Sequence, residues 1–206
     1  MIGCLRCTSS LPNGSNVFYG ADVRGPLTFD DIEAIERQRT PDAHRSAAAE
    51  LLSWVEERHP DDEVSPADLL SSAAWHLGEA GDVEASLDLH RRAVAAEGAV
   101  SPSARCSLHA ALLEAGQLEE ARQVADEIRR SRPSIGDMAD MAENFDMHGD
   151  LQQALRWAEK GVTKLQLDAP DDIEDDIGVI SLLNIRRNVR QQLGFPPDEL
   201  DEMRPE

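Results

Sequence analysis

Aromatic residues make up only 4% of this chain. That argues against a β-sandwich, whose core draws on aromatic and β-branched side chains. Alanine and leucine recur throughout instead and favour helices. Cysteine is sparse as well. Cys4, Cys7 and Cys106 are an odd number without small-domain spacing, which argues against a secreted disulfide framework. No run of 18 apolar residues exists, so nothing is expected to span a membrane. The first thirty residues lack the apolar core of a signal peptide, and the expected location is the cytoplasm. Basic residues are in short supply too: 20 Lys and Arg stand against 40 Asp and Glu, a formal charge of −20. Such a field repels nucleic-acid phosphates and anionic membranes. Its simplest complement is a cationic partner; otherwise the acidity serves solubility alone. No glycine-rich phosphate loop and no His-Glu-x-x-His occurs, so no cofactor is expected.

What is present is enough for a folded body. The 206 residues are 41% hydrophobic and 29% charged, which suits one domain or one domain with a short extra segment. Residues 1–28 are rich in Gly, Pro, Ser and Asn and read as an irregular or disordered segment, with Val17 to Tyr19 as a short candidate strand. Residues 29–64 read as N-terminal helices. Thr28 with Asp30, Asp31 and Glu33 predicts a helix start, and Thr40-Pro41 predicts a second helix running to about His59. From Ser65 to 168 the chain becomes regular. Ser65-Pro66 and Ser101-Pro102 open helices, Gly81, Gly116 and Gly149 mark turns, Pro133 is a stop, and Asp137 opens a further helix. Residues 169–206 hold an acidic stretch, a capping helix over 178–193, a stop at Gly194 and a frayed tail.

Self-similarity is the informative feature. Gly81-Asp82-Val83-Glu84-Ala85-Ser86 parallels Gly116-Gln117-Leu118-Glu119-Glu120-Ala121 and Gly149-Asp150-Leu151-Gln152-Gln153-Ala154. The three glycines, at 81, 116 and 149, are 35 and 33 residues apart. Leu77, Leu112 and Phe145 stand four residues before them, and the small residues Ser86, Ala121 and Ala154 five after. Two helices per unit at a period near 34 resembles the tetratricopeptide repeat. The resemblance covers residues 66 to 167 and implies an all-α, right-handed superhelix of about three helical hairpins with flanking cap helices. Arg105 and His109 depart from the repeat pattern, at positions where large apolar and small residues are usual. The repeat region with its tail, Ile185 to Pro197, is also similar to that of bacterial proteins carrying a SEC-C zinc motif, though the motif itself is absent.

The resemblance further implies a concave groove lined by the first helix of each hairpin. Projected onto this chain, its positions are Asp68, Ser71, Trp75 and Gly78; Ser103, Cys106, Ala110 and Leu113; and Gly136, Ala139, Glu143 and Asp146, with Glu79 and Glu114 beside them. None is Lys, Arg or Asn, so the carboxylate clamp of some such repeats is not expected. An acidic lining with an apolar centre suits a basic or amphipathic helical segment, with Trp75 as anchor. The bland alternative packs Trp75 against its neighbouring helix and leaves the acids as solvated surface.

Other chemistry finds less support. Cys4-x-x-Cys7 has the spacing of half a zinc knuckle or a redox pair, but no second ligand pair follows. His90, Cys106 and His109 invite a nucleophile reading; a hydrogen-bonded core histidine and a small apolar cysteine are the commoner roles. The acidic run Asp171, Asp172, Glu174, Asp175 and Asp176 lacks the central glycine and closing glutamate of a calcium loop. Arg186, Arg187 and Arg190 form the concentrated basic patch. The expected function is a non-catalytic adaptor for a protein or peptide. The alternatives are a ligand-sensing regulatory repeat protein and a metal- or thiol-dependent enzyme using Cys4 and Cys7.

Overall fold

The computed structural model describes residues 24–37, 40–96, 103–168 and 177–202, and these form ten helices and no strand. They are α1 (Phe29–Glu36), α2 (Pro41–Glu56), α3 (Pro66–Glu79), α4 (Val83–Ala95), α5 (Ala104–Glu114), α6 (Leu118–Arg130), α7 (Ile135–Met147), α8 (Leu151–Asp168), α9 (Ile177–Gln192) and α10 (Glu199–Glu202). The candidate strand at Val17 to Tyr19 lies outside the described residues. None of the described helices is long and apolar enough to cross a membrane.

Local chemistry sets the boundaries. Ser65 and Ser134 each accept from the backbone N–H three residues on, while Asp68 and Asp137 accept from the cap N–H in return. Each reciprocal pair satisfies two donors that a helix start leaves open. Thus Ser134, three residues before the expected opening at Asp137, caps α7, and Asp137 is its third residue. α2 stops at Glu56, short of His59, because Asp62 draws the following turn inward by accepting from the N–H groups of His59 and Leu27. α6 ends at Arg130, ahead of Pro133, as Arg132 takes a left-handed φ of 58°. α5 starts at Ala104 with Ser103 as its cap, whereas residues 101 and 102 lie outside the described residues. Gly81, Gly116 and Gly149 hold φ between 71° and 82°, a conformation that glycine adopts without a Cβ penalty.

Packing follows chain order. α3 pairs with α4, α5 with α6 and α7 with α8, and the small residues after each turn allow the approach. Ala121 and Ala154 are buried, and the Ser86 hydroxyl is satisfied by donating to the Ala74 carbonyl across its hairpin at 2.7 Å. One apolar cluster joins α1 to α4 around Leu51, Leu69 and Leu89. A second joins α4 to α9 around Leu87, Leu112, Met141 and Leu182. Val94 touches both, so the core is continuous. Burial of each such leucine is worth about 1.5–3 kcal/mol. The first helices of successive hairpins lie side by side: α5 packs on α3 and α7, and α9 on α7 and α8. α1 lies against α3 at the other end.

Candidate binding groove

The helices α1, α3, α5 and α7 border one cavity of about 830 Å³, to which α4 adds Ser86 and His90. Each main wall is one helical stripe: Asp68, Ser71, Ser72, Trp75 and Glu79; Ser107, Ala110, Ala111 and Glu114; Asp140, Glu143, Asn144 and Met147. Spacings of three and four residues bring these side chains to one side of each helix. Seven carboxylates line the cavity: Asp30, Glu33, Asp68, Glu79, Glu114, Asp140 and Glu143; none of the described lining residues is Lys or Arg. Three large apolar side chains remain open at it: Phe29 is 59% exposed, Trp75 42% and Met147 70%.

Trp75 is held from behind. Its ring meets His44 edge-on at 5.6 Å and His76 at 4.8 Å between centroids. One part of the indole therefore packs on α2 and α3, as the plainer expectation had it, and the rest faces the cavity.

Asp140 is half-buried. Desolvation, followed by the like charges of Glu143 and Asp137, pushes its carboxyl up to about 7. It has no hydrogen bond or ion pair among the described residues, and neither does Glu143. Elsewhere in the lining of the same cavity His90 is 5% exposed, its Nδ1 has no partner, and burial holds the imidazole down at about 4, so the ring is neutral. Cys106 is buried with Sγ 3.7 Å from both the backbone oxygen and Oδ1 of Asp137. Burial first, then the charges of Asp137 and Asp140, pushes its thiol up. A neutral buried thiol is a poor nucleophile. His109 is fully buried, meets Asn144 Nδ2 at 3.3 Å and packs on Phe145, the surroundings of a core histidine. No group of three or more His, Cys, Asp or Glu among the described residues is arranged to hold a metal ion.

Of the projected residues, Asp68, Ser71, Trp75, Gly78, Glu79, Cys106, Ala110, Glu114 and Glu143 meet at this cavity. Leu113 and Asp146 do not. Leu113 packs against the second core cluster, and Asp146 accepts from Gln192 of α9 at 2.9 Å. Ser103 is spent as the α5 cap and donates its N–H to Asp137, Ala139 is core, and Gly136 sits in the first turn of α7. The open stripes of α5 and α7 are rotated by one residue from the projection, about 100° on a helix. The walls given by α1, and by Asp140, Asn144 and Met147, were not foreseen. The acids three apart in Asp140 and Glu143, with Met147 a turn on, are the sequence signal for the second set. The basic patch is not a free surface: Arg186 is buried on Glu159, Asp198 and Asp201, and Arg190 pairs with the same three acids. Cys4, Cys7 and the acidic run of residues 171–176 lie outside the described residues.

Comparison with family models, with curated proteins and with solved structures finds no match to this chain.

Proposed function

We propose that this protein is a non-catalytic binding module, a tetratricopeptide-like array whose groove takes a basic, amphipathic segment of a partner protein. One observation carries the reading: a cavity that combines seven carboxylates, no lysine or arginine, and three exposed apolar side chains. Like charges gathered in one concavity repel each other, and although Glu33 meets Arg37 and Asp68 caps α3, a cationic ligand relieves the rest. Phe29, Trp75 and Met147 supply what an amphipathic helix needs on its other face, and an indole already fixed by His44 and His76 loses little freedom on binding. The repeat resemblance and the pairing of the hairpins support the same reading.

The test is fluorescence anisotropy of a labelled amphipathic peptide with one leucine face and four lysines. Saturable binding is expected, weakening with salt. Trp75→Ala with Glu114→Lys and Glu143→Lys should raise Kd by about tenfold or more. The exposed Glu84→Lys and Glu119→Lys changes, outside the cavity, should leave it nearly unchanged. Equal affinity for the groove variant and the wild type overturns the proposal.

A further inference from the structure

Asp140 and Glu143 sit one turn apart on α7, where that helix meets α5. The seam is tight: Asn144 Nδ2 donates to the Cys106 carbonyl at 3.0 Å, and Cys106 Sγ rests on Asp137. Asp137 is committed, since its carboxylate accepts from Ser103 and from the N–H and hydroxyl of Ser134. Asp140 and Glu143 are committed to nothing. Neither has a cation or a donor among the described residues, although Asp140 is largely removed from water. A half-buried carboxylate normally has a hydrogen-bonded partner. A second vacancy lies at the same cavity. His90 is 95% buried, borders it, and keeps Nδ1 without a partner. The two carboxylates and the neutral His90 imidazole can accept hydrogen bonds, the unpartnered Ser71 hydroxyl of the same cavity can do so too, and the matching ligand is a cation rich in N–H donors.

We infer that this seam is an arginine subsite, in which Asp140 and Glu143 take one guanidinium group at a floor closed by His90. The inference rests on the groove reading above and names what the bound segment must carry. A guanidinium fits better than an ammonium for three reasons. Its planar fork can meet a carboxylate with two parallel bonds, and its remaining N–H groups can serve the second acid. It is also less strongly hydrated than lysine, so entering a half-buried site costs it less. Finally, Asp140 holds its proton near neutrality, and a fixed positive charge favours its release.

The test uses the full chain and two small probes, n-propylguanidinium and n-butylammonium, which carry only the side-chain heads. Carbon-detected NMR follows the Asp140 carboxyl resonance, assigned by its loss in Asp140→Asn. Propylguanidinium is expected to shift that resonance saturably and to lower its titration midpoint by about one pH unit. Butylammonium is expected to bind about fivefold more weakly. Asp140→Asn relieves like-charge repulsion and so keeps the fold; with it, the backbone shifts caused by propylguanidinium at Glu143 and His90 should vanish. Equal responses to the two probes, no response, or shifts that survive Asp140→Asn overturn the subsite. Replacing one central lysine of the amphipathic peptide by arginine separates this inference from the groove reading. It should tighten binding about fivefold in the wild type and not in Asp140→Asn. A peptide that binds in the groove yet gains nothing from arginine overturns the subsite alone. Probe binding at Asp140 with no peptide binding supports the subsite and overturns the peptide reading.

Discussion

The Nδ1 atoms of His44 and His76 lie 2.8 Å apart, joining α2 to α3 beneath Trp75. Only one ring can donate in that contact, so the other must be a neutral acceptor. Burial and then the neighbouring His44 hold His76 down at about 4, and burial does the same to His90 and His109. In the unfolded chain a histidine takes up its proton near 6.5. Between about pH 6.5 and 4 the unfolded state therefore binds more protons at these three positions, and stability falls as pH falls. Asp140 acts in the opposite sense, since folding raises its carboxyl to about 7 and the folded state holds the extra proton. Three imidazoles against one carboxyl leave unfolding with a net uptake of about two protons near pH 5. Urea unfolding should show about 3 kcal/mol less stability at pH 5 than at pH 7. Asp140→Asn should steepen that loss by about one proton, because the opposing group is gone. A profile flat from pH 7 to 5 would mean that the three rings are solvated.

Much of the fold was legible because its signals are local. Turn glycines at 81, 116 and 149 need a left-handed backbone, Ser65 and Asp68 reciprocate within one turn, and Ser86, Ala121 and Ala154 sit where helices close up. The groove was legible in part. α3 presents Asp68, Ser71 and Trp75 as projected, but α5 and α7 are turned by one residue. Their rotation is set by contacts distant in sequence, such as Asn144 on Cys106 and Asp146 on Gln192. The same limit hid the fate of Arg186. Three arginines within five residues read as a surface patch until Asp198 and Asp201 fold back on two of them.

Gly161 of α8 packs directly against Leu182 of α9. A Cβ there would stand 2.5 Å from Leu182 Cδ1 and 2.8 Å from Cδ2, and Leu182 is fully buried, so its side chain would have to shift within the core. Gly161→Ala gains about 1 kcal/mol of helix propensity. Overpacking costs about 1–3 kcal/mol, so a net loss near 1 kcal/mol is expected. The order reverses once the leucine is trimmed. Leu182→Ala alone should cost about 2–5 kcal/mol, and adding Gly161→Ala to it should restore about 1 kcal/mol. Chemical denaturation of the four proteins closes the cycle; additive effects would refute the contact.

Asp62 fastens the first wall of the groove. Its carboxylate accepts from both terminal nitrogens of Arg24 at 2.7 Å and from the backbone of Leu27 and His59. These bonds, led by the Arg24 guanidinium, hold its carboxyl well below the usual range, so the tether persists until strongly acidic pH. Asp62→Ala should cost about 2–3 kcal/mol. Hydrogen exchange should quicken from residue 24 through α1 while α5 to α8 stay protected. The labelled peptide should also bind less tightly, because Phe29, Asp30 and Glu33 depend on this anchor. Unchanged exchange in α1 would show that its packing on α3 suffices.

Arg186 closes the opposite end. Its guanidinium reaches Glu159 on α8, Asp198 before α10 and Asp201 within it, at 3.1, 2.7 and 2.7 Å, and its side chain is only 5% exposed. Arg190 adds bonds to Asp201 and to the Pro196 carbonyl. The arrangement explains why a four-residue helix persists at all: its acids answer two cations that would otherwise be buried beside a single glutamate. Removing one member of such a group leaves uncompensated charge, so Arg186→Ala should cost about 3–5 kcal/mol. Arg186→Lys keeps the charge but cannot span three acids with one fork, and should recover only part of the loss. Limited proteolysis distinguishes the site of damage. Cleavage between Gly194 and Asp198 should appear in Arg186→Lys before any cut within α3 to α8. Simultaneous cleavage throughout would show that the clamp supports the whole array and not its last turn alone.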